Sequence, residues 1–572
     1  CLTIKCQTCK TQYSGSNYYT YMAATHLKEA FSRLSQHSVD SVQSGMSFSD
    51  LDDYMHVERP IESRLLNKMC EIDDAGGGIV LLVGSAGDGK SHLISKVKSV
   101  SDWGESCFYN DATASCSPKK TAVDTLKEAL IDYKDENIGS TDRKQVLAIN
   151  LGKLNALIED PEVQSEFSEL VRCARPIFDD DFTPPIETDR IKFVLFPDEQ
   201  IFEFNVDSET EYPASSNFLS SIFKRITAKE KKNPFYTAYR EDIENGADAI
   251  DPLILNYELL SILEVQNSIC MTIIEAIIRY KLIITPREFL DFVYSIMVYP
   301  HYDEYRSRED FFEALLPNLL YCGGENTIQK AISNLDPLKH SRTDHDKQLS
   351  VLFTSYSIPA TYFDPQVLDS IPKDLITRTN EFYSNNGKDI ERTTKFVFRL
   401  KHLISYHSES SVFTSYLSIL RGVFMADVHK MQEIYDMVGR AITRHYGSYY
   451  SKPNMIPLNI QGGQYRLFAN QSLKPKPIKA PFDKKNPTEF SLRFDLSWEF
   501  PSGNVSLRMD YPLYSYLYEL NNGKLALSYE NEKDLTFSRF IRQLIGKCDC
   551  RQELTVVKSD TTEMKLSETA FG

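Results

Sequence analysis

The apolar run Ile79-Val80-Leu81-Leu82-Val83 stops at Gly84-Ser85-Ala86-Gly87-Asp88-Gly89-Lys90-Ser91, and a helix-like pattern follows from His92 to Ser99. No other stretch constrains the fold as tightly. A short, uninterrupted run rich in β-branched residues suits a strand covered on both faces, as at the centre of a parallel sheet. The octet fits G-x-x-x-x-G-K-[ST] at every fixed position. In that pattern the glycines let consecutive N–H groups turn inward, and the helix that follows adds the positive end of its dipole. A phosphate-holding loop is therefore expected, with ATP and Mg²⁺ as ligands. Lys90 would reach the β- and γ-phosphates and act in catalysis, and the Ser91 hydroxyl would take one Mg²⁺ position. Gly84, Ala86, Gly87, Asp88, Gly89 and His92 complete the expected nucleotide-binding set.

Strand and helix patterns alternate around the octet. Before it, "FSDLDDYMHVERPIESRLLNKM" reads as an extended leader and then a helix with Ile61, Leu65, Leu66 and Met69 on one face. His56 to Arg59 of this leader are base-side candidates. After it, "ESCFYNDATA" and "KQVLAIN" read as strands, "TAVDTLKEALIDYKDEN" and "LGKLNALIED" as helices, and "RIKFVLFPDEQIFEF" as a further strand. The alternation predicts an α/β fold with a three-layer P-loop NTPase core of AAA/STAND-like type, its ligand at the carboxyl ends of the strands. Residues 1–66 form an N-terminal helical leader in this reading, 67–300 the ATPase domain and 301–450 a helical domain. Residues 451–572 form a β-rich C-terminal domain. The Lys/Pro stretch from Lys474 to Lys485 is read as a solvated linker.

A formal net charge of −16 over 572 residues disfavours non-specific coating of DNA, which depends on Lys and Arg neutralising phosphates. The greasiest long segment, Ser268 to Ile284, is interrupted by Glu275, Arg279 and Lys281, so no membrane span is expected. Eleven cysteines are scattered. Cys6/Cys9 and Cys548/Cys550 are the only close pairs, which favours reduced thiols over a zinc site. No charged-then-apolar leader is read at the start of the sequence, and a cytoplasmic protein is expected.

Hydrolysis needs a strand-terminal carboxylate that holds Mg²⁺ through water. Asp198 and Glu199, after "FVLF", are the first choice and Asp111, after "CFYN", the second. Asn150, ending "VLAIN", suits a γ-phosphate sensor. Arg287, in the first turn of "ITPREFLDFVYSIM", suits a second sensor, and Arg342 a finger acting on a neighbouring subunit. One rival chemistry is spelled by Pro197-Asp198 with Glu230-Lys231-Lys232, a PD…ExK nuclease pattern. That site wants its Glu and Lys on a strand, whereas "SIFKRITAKEKKNP" reads as the charged end of a helix.

The strings "SDLDDYMHVERPIE", "LLVGSAGDGKSHL", "YNDATASCSPKKTAVDTLKEAL", "VLAINLGKLNALIED", "DPLILNYELL" and "YKLIITPREFLDFVY" together resemble the DptF family of DNA phosphorothioation-dependent restriction proteins. The resemblance covers roughly residues 28 to 350 and the tail more loosely. It implies a P-loop ATPase subunit of a phage-defence complex that works with companion subunits DptG and DptH against DNA lacking the modification. The family's nucleotide contacts fall on Gly84, Gly87, Gly89, Lys90 and Ser91. An ATP-binding switch without turnover and a PD…ExK nuclease subunit are the alternative functions.

Overall fold

The computed structural model describes residues 23–43, 50–85, 87–109, 122–178, 184–196, 201–204, 213–305, 310–339, 343–355, 357–384, 389–405, 412–445, 455–462, 465–470, 473–476, 478, 492–523, 531–547, 554–558 and 562–566. Cys6/Cys9 and Cys548/Cys550 lie outside them.

The fold is mixed α/β around a four-stranded parallel sheet. Among the described residues three helices come first: α1 (Thr25–Gln43), α2 (Asp50–Met55) and α3 (Pro60–Asp74). The sheet is built from β1 (Gly78–Gly84), β2 (Phe108–Tyr109), β3 (Lys144–Asn150) and β4 (Ile191–Leu195), in the order β2-β3-β1-β4. β1 pairs with β3 from Gly78↔Lys144 to Gly84↔Asn150 and with β4 from Ile79↔Ile191 to Val83↔Leu195. Every β1 residue is buried, as its apolar run requires.

Alternation along the strand divides its side chains between two cores. Ile79, Leu81 and Val83 pack with residues of α5 (Ala122–Ala129), α6 (Leu151–Ile158), α7 (Pro161–Glu166) and α8 (Ser168–Ala174). Val80 and Leu82 pack on the other face with α3 and α4 (Lys90–Val100). The α3 stripe is Ile61, Leu65, Met69 and Ile72, with Leu66 at its margin.

The glycines at the entry to β1 have a steric cause. A Cβ on Gly77 would lie 2.4 Å from the Thr141 carbonyl oxygen, and one on Gly78 2.4 Å from that of Arg190. Arg190 clamps this entry, donating from Nη1 to the Gly77 and Thr141 carbonyls at 2.8 and 3.0 Å.

Beyond β4 a short antiparallel pair, β5 (Glu203–Phe204) and β6 (Ala214–Ser215), leads into a helical region. It runs through α9 (Asn217–Thr227), α10 (Pro234–Glu244), α11 (Pro252–Leu260), α12 (Leu263–Tyr280) and α13 (Pro286–Met297). It continues with α14 (Leu316–Tyr321), α15 (Thr327–Ser333), α16 (Thr343–Ser355), α17 (Pro365–Leu368), α18 (Lys373–Ser384), α19 (Ile390–Ser405), α20 (Val412–Phe424) and α21 (Val428–His445). Among the described residues no single helix is long and apolar enough to cross a membrane. α11 and α12 meet that test only as a pair bent by 84°.

Helix α1 belongs to this region in space and packs on α10 and α13. Its first N–H groups, which have no partner within the helix, are met from far along the chain. Asp242 accepts from the His26 and Leu27 amides at 3.1 and 2.8 Å, and Asp251 accepts from the Ala24 amide at 3.2 Å.

The C-terminal part holds β7 (Met455–Gly462), β8 (Tyr465–Asn470), β9 (Lys474–Pro475), β10 (Phe494–Glu499) and β11 (Val505–Met509), followed by α22 (Tyr511–Asn521), α23 (Asn531–Lys547), β12 (Leu554–Lys558) and β13 (Glu563–Leu566). Its sheets run β11-β10-β9 and β13-β12-β8-β7. Among the described residues two helices therefore accompany the strands that the alternating pattern predicts. Asp510 starts α22 by accepting from the Leu513 amide at 3.0 Å, with Pro512 in the first turn. Lys474 and Pro475, read as linker, instead pair with Glu499 and Trp498.

Candidate phosphate-binding loop and its surroundings

Gly84 closes β1 at the carboxyl edge of the sheet, and Lys90 opens α4. Between them Gly87 and Gly89 have φ of +88° and +91°, the left-handed region that favours glycine. Ala86 lies outside the described residues. The Ser85 amide donates to Asp88 Oδ2, which folds the loop on itself, and Lys90 Nζ donates to the Ser85 carbonyl. Burial pushes the Asp88 carboxyl above its ordinary value and Glu288 adds to this, against the Ser85 amide, Lys90 and Arg59. Burial also lowers the Lys90 ammonium, with Asp88 opposing. Ser91 and His92 are half-buried in the first turn of α4. The loop thus gathers N–H donors and an ammonium at the start of a helix, an arrangement that can take an anion.

Three further elements close around it. From the leader, Arg59 Nη1 and Nη2 each lie 3.4 Å from the Asp88 carbonyl oxygen, and a Cβ on Gly89 would lie 3.2 Å from Nη2. Its guanidinium stands 5.4 Å from the centre of the Phe196 ring, and Phe196 sits against Gly84. The Arg59 backbone N–H donates to Glu62 Oε1 at 3.1 Å, and Glu62 Oε2 lies 3.3 Å from His56 Nε2. His56 Nδ1 in turn lies 2.9 Å from His92 Nε2, with the two rings stacked. Burial works to raise the Glu62 carboxyl, but the His56 and Arg59 contacts outweigh it and hold it below its ordinary value.

The third element is α13. Its cap Thr285 lies behind Gly87, where a Cβ would meet Thr285 Oγ1 at 3.2 Å. Thr285 Oγ1 accepts from the Glu288 amide at 3.2 Å, and Glu288 Oε2 accepts from the Thr285 amide at 3.0 Å. This reciprocal capping holds the helix start rigid. Arg287 is in that first turn, half-buried, so the expected second sensor stands on the element that touches the loop. Asn150 is level with Gly84 in the sheet and its side chain does not cap α6.

Asp198 and Glu199, Asp111 and Arg342 lie outside the described residues. The strands that the carboxylates follow are placed: β4, before Asp198 and Glu199, pairs directly with β1, and β2, before Asp111, is two strands away. Glu230, Lys231 and Lys232 occupy an exposed turn between α9 and α10, not a strand. Among the described residues no group of three or more His, Cys, Asp or Glu side chains could hold a metal ion.

Sequence reasoning did not single out Glu62, Phe196, Thr285 or Glu288. The string Thr285-Pro-Arg-Glu288 carries a capping-box signature, but nothing local says that it docks on a loop some 200 residues earlier. Comparison with family models, curated proteins and solved structures found no match.

Proposed function

We propose that the chain is a P-loop ATPase with a core of AAA/STAND-like type, and that it works as a subunit of a phosphorothioation-dependent DNA restriction complex with DptG and DptH. The ATPase part is supported by one arrangement: a complete G-x-x-x-x-G-K-[ST] octet at the carboxyl end of a central buried parallel strand, with left-handed glycines and a helix beginning at its lysine. The restriction part rests on the family resemblance alone.

Loop amides from Gly87 to His92 and the Lys90 ammonium would hold the ATP phosphates. Mg²⁺ would rest on the Ser91 hydroxyl and on a carboxylate from Asp198, Glu199 or Asp111. The metal would supply charge neutralisation on the β- and γ-phosphate oxygens. Asn150 and Arg287 would sense the terminal phosphate.

Lys90→Ala is expected to weaken ATP binding by about 2–4 kcal/mol or to abolish turnover. Fluorescent-nucleotide titration and phosphate release, each with and without DNA and the companion subunits, test this. ATP affinity and turnover equal to wild type in Lys90→Ala would refute the assignment. ATP binding without turnover under every condition would leave a conformational switch in its place. DNA cleavage by the chain alone that survives Lys90→Ala but not Glu230→Ala would establish the nuclease.

A further inference from the structure

We infer that the outer faces of α21 and α23 form a docking surface for the phosphate backbone of a DNA duplex. The choice of DNA rests on the restriction role proposed above; the surface itself is independent of the nucleotide-binding loop.

Charge sets these faces apart. Residues 437–445 of α21 and 535–547 of α23 hold Arg440, Arg444, Arg539, Arg542 and Lys547 and no Asp or Glu, in a chain whose net charge is −16. Other helices pair such cations within a turn: Arg240 with Glu244 at 2.5 Å, Arg378 with Glu381 at 2.7 Å and Lys430 with Glu433 at 2.9 Å. Among the described residues, the side chains of Arg440, Arg444, Arg539 and Arg542 make no hydrogen bond and no ion pair. Arg440, Arg539 and Arg542 are exposed and Arg444 is half-buried. A group of like charges without counter-charges repels itself and gains from an anionic partner.

The fold brings the two sets of arginines to one joint. His445, the last residue of α21, lies with Nε2 3.0 Å from Ser538 Oγ of α23, and its ring centre stands 5.4 Å from that of Phe537. Arg444 directly precedes His445, and Arg542 stands one turn beyond Ser538 on the same side of α23. Phe537, Phe540, Ile541 and Leu544 bury the opposite side of α23 in the core, so its arginines stand on a fixed element.

Spacing favours a regular polyanion over an acidic protein. Arg440 and Arg444 are four residues apart and Arg539 and Arg542 three, which sets neighbouring Cβ atoms about 5–6 Å apart. A duplex presents phosphates at a close, even repeat, and each guanidinium fork can take two oxygens of one phosphate. Exposed Gln543 adds an amide donor of the kind that meets backbone oxygens. At Gly546, one turn after Arg542, an added Cβ would have nothing within 4 Å, so a backbone can lie close to the helix. The acidic remainder of the chain repels the duplex and confines it to this face.

The test is fluorescence anisotropy of a labelled DNA duplex with the full chain, from about 50 to 200 mM salt. Wild type should bind, with log affinity falling against log salt at a slope of roughly −4. Arg440→Gln with Arg444→Gln, and Arg539→Gln with Arg542→Gln, should each weaken binding on the order of tenfold at the lowest salt and flatten that slope by about two. Lys330→Gln with Lys339→Gln removes the same charge from exposed positions elsewhere and should bind as wild type does. Unfolding temperatures equal to wild type separate loss of the surface from loss of the fold. An equal loss in the lysine pair would make the effect one of net charge and overturn the inference. No binding by wild type, unchanged affinity in both arginine pairs, or an RNA duplex bound in place of DNA would overturn it too. The restriction reading fails separately: DNA binding through the arginines by a chain that never associates with DptG and DptH would keep the surface and remove the complex.

Discussion

Asp88 brings a negative charge into a loop whose other groups suit an anion. Its side chain is useful as an acceptor for the Ser85 amide, but its charge opposes phosphate. Asp88→Asn keeps an acceptor and removes the charge, so ATP should bind several-fold more tightly, by about 1 kcal/mol. Calorimetric titration checks this; weaker binding would mean that the asparagine fails to hold the loop. The glycines at the entry to β1 give a steric contrast within three residues. Gly76 has φ of +78° and open space around a Cβ, so Gly76→Ala should cost only the backbone strain, about 1 kcal/mol. Gly78 would place its Cβ 2.4 Å from a backbone oxygen that cannot swing away. Gly78→Ala should therefore cost more than about 3 kcal/mol in chemical denaturation, or prevent folding. Equal costs would show that the strand entry is more plastic than the clamp by Arg190 implies.

At the level of elements, α1 is tied down by two carboxylates, Asp242 and Asp251, the first of which also meets the His26 imidazole. His26 Nδ1 lies 2.7 Å from Asp242 Oδ1, and that hydrogen bond raises the His26 pKa above 6.5 against the cost of burial, with the charges of Asp242, Glu241 and Glu29 adding to the rise. A raised folded-state value stabilises the fold fully below the unfolded pKa and is lost as pH rises through the folded one. The cost of His26→Ala in thermal unfolding should therefore be larger at about pH 5.5 than at about pH 9. Asp242→Ala should destabilise at both, because the His26 and Leu27 amides lose their acceptor whatever the imidazole does. A second tie joins α19 to the turn before α16. Arg399 donates from Nε to Asp336 Oδ1 at 3.2 Å and from Nη2 to Oδ2, and from Nη1 to Asn318 Oδ1 at 2.8 Å. Asp336 is 3% exposed, so Arg399→Met would strand a buried carboxylate and should cost about 3–5 kcal/mol. Replacing both partners with apolar residues should recover most of that loss. These ties also mark what the sequence could convey. β1, β3 and the α3 stripe were readable because their apolar periods are local and strong. The turn after β1 was readable because the octet places glycines, Gly87 and Gly89, where the chain takes positive φ. The encirclement of the loop by Arg59, Phe196 and Thr285 was not, since each comes from a different element and only folding brings them together. α22 was missed because a period-2 run up to Met509 masked the helix start at Asp510.

Across the whole molecule, the closeness of Gly87 to Thr285 brings the loop after β1 against the helical region; under the proposed function that loop holds the nucleotide. A ligand that binds only the folded loop stabilises the fold by mass action, about 2.7 kcal/mol at a hundred times its dissociation constant. Mg²⁺-ATP should thus raise the unfolding temperature of wild type and leave that of Lys90→Ala nearly unchanged; equal shifts in both would put the stabilising site elsewhere. The capping of α1 from a distance governs the order in which the chain can finish folding. The Ala24 amide finds its acceptors in Asp251 and, at 2.9 Å, in the Tyr302 hydroxyl, which lies 278 residues further on. During synthesis on a ribosome, the apolar face of α1, with Leu27, Phe31 and Leu34, leaves the exit tunnel long before α10, α11 and Tyr302 exist to receive it. The parallel sheet can therefore close as a nascent unit while α1 waits uncovered, a surface that chaperones would hold until translation passes Tyr302.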